Sequence, residues 1–189
     1  MTRNNERQPE ILDAQEIYRG PIFDVSIYTV REKDVTYKRD VVHHPGGAGV
    51  VAVFDDMTIA LVRQYRQPVV RYILEIPAGR IEFPETPEAC AGRELEEEIG
   101  FRAGNLIKLS EFFTTPGFCE EKLWVYLATR LTKVEQKLES DEIVEVERVT
   151  FARAFEMIAD GEIEDAKTII GITMAAQHLY LHIPKPDVE

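Results

Sequence analysis

Cysteine is scarce in this chain: Cys90 and Cys119 are two thiols in 189 residues, too few for a disulfide framework and compatible with a reducing compartment. Long apolar runs are missing too. The longest, Val50–Phe54 and Ile59–Val62, fall far short of the roughly 18 residues a membrane helix needs, so no membrane partner is expected. Residues 1–10 are polar and charged and offer no secretory apolar segment, which makes a cytoplasmic location the expectation. Positive charge is in deficit, with Lys+Arg 22 against Asp+Glu 34 and a net −12. Such a field repels phosphate backbones unless basic residues cluster. No run of Lys or Arg does so, and nucleic acid is not an expected partner. An acidic protein that handles a small anion needs a divalent metal and a few placed arginines to reverse the local field. Repeats, low-complexity tracts and long linkers are also absent. What is present, 44% hydrophobic and 30% charged residues, is the balance of a globular protein, and the length suits one ordinary domain or one domain carrying a small added element.

The first twelve residues read as a loose start. Tyr18-Arg19-Gly20-Pro21 reads as a turn, and Phe23–Val30 alternates with β-branched and aromatic residues, as a strand does. Val35–His43, Gly49–Phe54, Ile59–Tyr65 and Tyr72–Ile76 are further strands, interrupted by Pro45-Gly46-Gly47, Asp55-Asp56 and Pro77. A helix follows, with Thr86 as N-cap, Pro87 at the first helical position, good helix formers to Ile99 and Gly100 as the stop. Strands resume over Leu106–Thr114, Leu123–Leu131 and Ile143–Phe151, and helices over Arg153–Asp160 and Asp165–Leu181 close the chain. Strands with about three helices predict an α/β or α+β single domain.

The chemistry concentrates on the mid-chain helix. Ala91, Leu95 and Ile99 form one apolar stripe, and Glu94, Glu97 and Glu98, at i, i+3 and i+4, form an acidic one beside it. Like charges at these spacings weaken a helix, and they crowd the C-terminal half, where the macrodipole prefers cations. Glutamate-rich faces are usually just solvated. Here, however, a strand ending in Ile76-Pro77-Ala78 breaks at Gly79, where glycine permits a backbone conformation that side chains forbid, and the loop Arg80–Glu85 runs into the helix cap. A hard divalent cation takes oxygen from one or two carboxylates plus substrate phosphate, and it would relieve the conflict. Arg93, one turn before Glu97, is placed to hold that carboxylate.

Gly79, five residues, Glu85, seven residues and Arg93-Glu94-Leu95-Glu96-Glu97-Glu98-Ile99-Gly100-Phe101 together resemble the Nudix box, Gx5Ex7REUxEExGU with U apolar, Phe101 being aromatic where an aliphatic residue is usual. The resemblance implies a Nudix-type α/β/α sandwich with a mixed sheet plus N-terminal antiparallel strands, and metal-dependent hydrolysis of a nucleoside diphosphate linked to another moiety. The flanks resemble the ADP-ribose pyrophosphatase branch: Leu74-Glu75-Ile76-Pro77-Ala78-Gly79 before the box, Pro116 sixteen residues after Gly100, and Tyr18-Arg19-Gly20, Val62-Arg63-Gln64-Tyr65-Arg66 and Asp165-Ala166-Lys167-Thr168. Residues 1–44 are then expected to form an N-terminal strand region that pairs with a second subunit, and residues 45–182 the Nudix hydrolase domain, with its box at 79–101.

By the same resemblance Glu94 and Glu98 are the principal ligands of Mg²⁺, or Mn²⁺, with Glu97 as an additional ligand in the catalytic set and the Ala78 carbonyl as another. Glu85 and Arg93 would hold the loop and helix together. The acidic stretch Glu139-Ser140-Asp141-Glu142 would supply a general base, Glu142 or Glu139, with Asp141 as a possible ligand. Arg66, Arg39 and Arg63 are candidates for gripping phosphate, with Glu75 and Pro116 beside the substrate and Phe23 or Tyr18 for stacking on adenine. His43-His44 looks like a metal pair, but neighbouring strand residues face opposite ways, so both are read as structural. The expected reaction splits ADP-ribose into AMP and ribose 5-phosphate. A Nudix enzyme for GDP-mannose or a dinucleoside polyphosphate is the alternative, and a non-catalytic ligand sensor is disfavoured by the intact glutamates.

Overall fold

A computed structural model describes residues 8–138 and 143–180, in two compact units, residues 1–46 with 113–122 and residues 47–112 with 123–189. The first unit carries an antiparallel sheet of β1 (Glu10–Arg19), β2 (Asp24–Glu32) and β3 (Val35–His43), in that order. The expected strands at 23–30 and 35–43 are there. The loose start expected to residue 12 gives way earlier: β1 begins at Glu10. Its pairing with β2 slips between Ile11 and Asp13 and again between Glu16 and Tyr18. Each slip breaks the period-two alternation from which a strand is read.

The second unit runs β4 (Gly47–Ala52), β5 (Thr58–Arg66), β6 (Arg71–Glu75), β7 (Ala78–Arg80), α1 (Pro87–Ile99), β8 (Phe101–Phe113), β9 (Lys122–Lys133), β10 (Glu145–Thr150), α2 (Phe151–Ala159) and α3 (Ala166–Tyr180). β10, β5 and β6 form one antiparallel sheet, and β7-β4-β9-β8 forms a mixed one in which β4 runs parallel to β9. Strand alternation sorts the core into two layers. Val51, Ile59, Leu61, Val125 and Leu127 pack with Phe151, Ala154, Met157 and Ile172 of α2 and α3. Their neighbours Val50, Ala60, Val62, Tyr126 and Ala128 pack with Cys90, Ala91, Leu95 and Ile99 of α1. The result is helix α1, strands, then α2 and α3: the α/β/α sandwich, in a mixed α+β chain.

Helix ends follow their local chemistry. The Thr86 hydroxyl accepts from the Ala89 amide at 3.2 Å, Pro87 opens α1, and Gly100 closes it in the left-handed region at φ 71°. Thr150 does the same for α2, accepting from the Arg153 amide at 3.1 Å. That cap ends β10 at Thr150 and turns Phe151 into the first helical residue, so the strand expected to reach Phe151 stops one residue sooner. β8 starts at Phe101, five residues before the expected Leu106.

Candidate active site

β5 ends by placing Gln64 and Arg66 on one face and Arg63 and Tyr65 on the other, as its period of two requires. The first pair borders a cleft of about 230 Å³, together with Ala78, Gly79, Arg80, Glu82, Arg93, Glu94 and Glu98. Arg63 is not among these lining residues. Its guanidinium carbon stands 6.0 Å from the centre of the Tyr72 ring. The three-residue spacing from Arg66 is the reason, because an odd spacing along a strand reverses the face.

Glu94 and Glu98 are buried on α1, 5% and 1% exposed, while Glu97 between them is half-buried. Glu98 accepts from the Ala78 amide at 2.9 Å and from the Gln64 side-chain amide at 3.4 Å. That contact ties the box helix to the segment before Gly79. At Gly79 a side chain would displace the Glu94 carboxylate. A Cβ built on it would stand 1.8 Å from Glu94 Oε1, and no left-handed backbone is needed, contrary to the expectation from sequence.

Arg93 organises the acidic face. Its Nε and Nη2 donate to Glu85 at 3.2 and 2.8 Å, Nη1 to Glu94 at 2.6 Å and to Glu97 at 2.8 Å, and Nη2 to the Arg80 carbonyl at 3.1 Å. Hydrogen bonding to Glu85 is the largest influence holding the Arg93 proton, and it outweighs burial. The same contact holds the Glu85 carboxyl below its usual range. Cys90 lies beneath, fully buried, with its thiol pushed up to about 12 by burial and hydrogen-bonded to the Gly79 and Arg80 carbonyls. A thiol so protonated is no nucleophile.

The donor set suits a hard cation. Glu94, Glu98 and Ala78 share one cleft, and two carboxylates plus phosphate oxygen are what Mg²⁺ accepts. Among the described residues no group of three or more His, Cys, Asp or Glu is already drawn together as a cage, and Arg93 engages Glu94 and Glu97. An ion there would exchange places with a guanidinium contact. Glu139, Asp141 and Glu142, the proposed loop acids, lie outside the described residues.

Glu75, expected beside the substrate, is held from two sides. It is 1% exposed and does not border the cleft; its carboxylate accepts from Arg66 Nε at 2.6 Å and Nη2 at 3.0 Å and from Lys167 Nζ. Burial pushes its carboxyl up, but hydrogen bonding to Arg66 and the charge of Lys167 outweigh burial, and the net shift is downward. Arg39 and Pro116 belong to the first unit and border a shallow pocket with Val41, Phe113 and Phe118. Phe23, in the same unit, packs on Tyr18 with ring centres 5.6 Å apart. His43 reaches Glu120 at 3.0 Å and His44 reaches Glu121 at 3.4 Å, so the two histidines have separate partners. Sequence reasoning missed Gln64, Arg80 and Lys167. Gln64 was signalled by its even spacing from Arg66. Lys167 is 92 residues from Glu75 and carried no local signal.

A NUDIX domain model matches residues 43–170. The chain is 42% identical over 168 residues to the ADP-ribose pyrophosphatase of Bacillus subtilis, covering 87% of this chain and 91% of that one. It is 35% identical over 168 residues to the methanol dehydrogenase activator of Bacillus methanolicus, again covering 87% and 91%. A crystal structure described as an ADP compounds hydrolase superposes with a TM-score of 0.82 at 22% identity, covering 94% of this chain and 97% of that one, which is a likeness of fold.

Proposed function

The chain belongs to the NUDIX family, and from that premise we propose that it hydrolyses the diphosphate bond of ADP-ribose to AMP and ribose 5-phosphate. The observation that carries the choice of substrate is the 42% identity, across nearly the whole of both chains, to an ADP-ribose pyrophosphatase. The cleft supports the chemistry. Glu94, Glu98 and the Ala78 carbonyl would hold Mg²⁺ or Mn²⁺, with Glu97 as an additional ligand. The ion supplies positive charge that neutralises the diphosphate and acidifies water. Arg66, held from behind by Glu75, presents its guanidinium to the diphosphate. Glu142 or Glu139 would accept the proton of the attacking water, with Asp141 as a further ligand. Arg39, Phe23 and Pro116 are proposed for the rest of the nucleotide.

We also propose a homodimer in the cytoplasm. All ten residues of β1 are exposed, including Ile11 at 62% and Ile17 at 52%. An edge strand so apolar invites pairing with another chain, here a second copy; a solution mass of one chain would overturn this. The substrate test is a panel of ADP-ribose, GDP-mannose and a diadenosine polyphosphate with Mg²⁺, followed by product release. ADP-ribose is expected to give the highest kcat/KM. Equal or faster turnover of GDP-mannose would transfer the assignment to that sugar.

A further inference from the structure

The first turn of α3 meets the segment leading to Gly79 through a closed set of charges. Glu75 is gripped by Arg66 on one side and by Lys167 on the other, and Lys167 Nζ lies 3.1 Å from Asp165 Oδ2. Asp165 in turn accepts from the Thr168 amide at 2.9 Å and the Thr168 hydroxyl at 2.6 Å. That hydroxyl, its proton committed to Asp165, accepts the Ile76 amide at 2.8 Å. Both Glu75 and the next backbone amide are thus fixed by one helical turn. The cluster holds two cations and two carboxylates, Arg66 and Lys167 against Glu75 and Asp165, and is neutral.

Its members differ in where they face. The side chains of Glu75, Lys167 and Asp165 are 1%, 12% and 18% exposed, whereas that of Arg66 is 40% exposed. Arg66 borders the cleft, and the other three do not. Without Lys167 the group would carry a net negative charge, and the Arg66 charge would be spent on the two carboxylates behind it. With Lys167 present, the positive end that reaches the cleft stays available to an anion. Three of the four charges are held largely out of water, where apolar packing often serves the fold as well, which leaves room for a use beyond stability.

We infer that Lys167 is a positioning residue of the reaction: it neutralises buried Glu75 so that Arg66 keeps both its orientation and its charge toward the substrate diphosphate. This rests on the reading that the cleft takes a nucleoside diphosphate sugar. Lys167 itself touches no substrate and acts through Glu75 and Arg66.

The test is a double-mutant cycle with Lys167→Met, Arg66→Met and both together. It reads the dissociation constant of α,β-methylene ADP-ribose with Mg²⁺, beside kcat and KM for ADP-ribose, thermal melting and Mn²⁺ binding by electron paramagnetic resonance. Lys167→Met is expected to weaken analogue binding about tenfold and to raise KM more than it lowers kcat, while leaving Mn²⁺ affinity within about twofold, since close charge pairs couple by factors of this size. Lys167→Arg should restore most of the binding. In the Arg66→Met background the lysine substitution should change binding less than twofold. Independent, multiplicative effects of the two substitutions would overturn the inference, as would a loss of Mn²⁺ affinity equal to the loss of analogue affinity. If Lys167→Met does not fold, Lys167→Gln takes its place in the cycle under the same criteria. A wild-type protein that hydrolyses ADP-ribose with an additive cycle loses the inference alone. One that neither binds the analogue nor hydrolyses ADP-ribose loses the substrate reading, and the inference with it.

Discussion

Glu75 and Glu98 are each 1% exposed, and both grip the stretch from Glu75 to Gly79, yet by different means. Glu75 sits between two cations, Arg66 and Lys167, in a cluster whose charges cancel. Glu98 accepts from neutral donors, among them the Ala78 amide and the Gln64 side chain, in the field of Arg66. Beside Glu98, one guanidinium, Arg93, serves three carboxylates, Glu85, Glu94 and Glu97. The first group is electrostatically complete and reaches the cleft only through Arg66. The second has excess negative charge and opens on the cleft. The difference separates a cluster that builds the site from one that can accept a cation and its anionic substrate.

The sharpest way to break this comparison is Glu98→Gln. It keeps the shape of the side chain and replaces one carboxyl group of the acid-rich cluster by an amide. The expectation is a loss of about 10²- to 10³-fold in kcat at saturating Mg²⁺, the size seen when a group that stabilises transition-state charge is removed. The melting temperature should stay within about 4 °C, which corresponds to about 1 kcal/mol in a chain of this size. Near-normal turnover would remove Glu98 from the metal set.

Arg93→Met should cost stability instead. It leaves three carboxylates without their shared cation, and about 2–3 kcal/mol is expected, somewhat less than for a fully buried pair because the Arg93 side chain is 25% exposed. Urea midpoints report it. Added Mg²⁺ should return more stability to this variant than to the wild type, since a ligand of the native state stabilises by mass action. Equal Mg²⁺ effects on both would mean that the acidic face has no affinity of its own.

The smallest effect concerns the complete cluster. The Glu75 carboxyl lies below its ordinary value of 4.5 in the folded chain. Its contribution to stability is therefore fully present above about pH 4.5 and is lost as pH falls through the lower folded value. Urea midpoints measured from pH 7 to pH 3 should show the wild type losing this increment at the acid end. Glu75→Gln, already weaker at pH 7, should show a shallower acid limb. Parallel pH profiles would place the depressed proton on another group.

Much of the site was legible from local pattern. Thr86, Pro87 and Gly100 bound α1 by capping chemistry alone, and the 3.6-residue period put Ala91, Leu95 and Ile99 in the core. The spacing of Glu94, Glu97 and Glu98 fixed their stripe on the helix. β1 was not legible, because its register slips erase alternation and all its side chains are exposed. Arg63 and Arg66 are both expected near the substrate from the resemblance of their segment, and only the strand's period of two separates them, because a spacing of three sends them to opposite faces. Glu75 is expected beside the substrate from the resemblance of its segment, and nothing local in the sequence signals its contact with Lys167, which comes from a helix 92 residues further on.

The chain alone therefore determined most of the elements and the acidic helix, since caps, periods and box spacing act over a few residues. Tertiary structure decided which charges cancel. Lys167 meets Glu75, Gln64 meets Glu98 and Thr168 meets Ile76 only after strands and helices have packed. Burial then sets the strength of each pairing, because a charge removed from water must find its counterpart in whatever the fold has placed nearby.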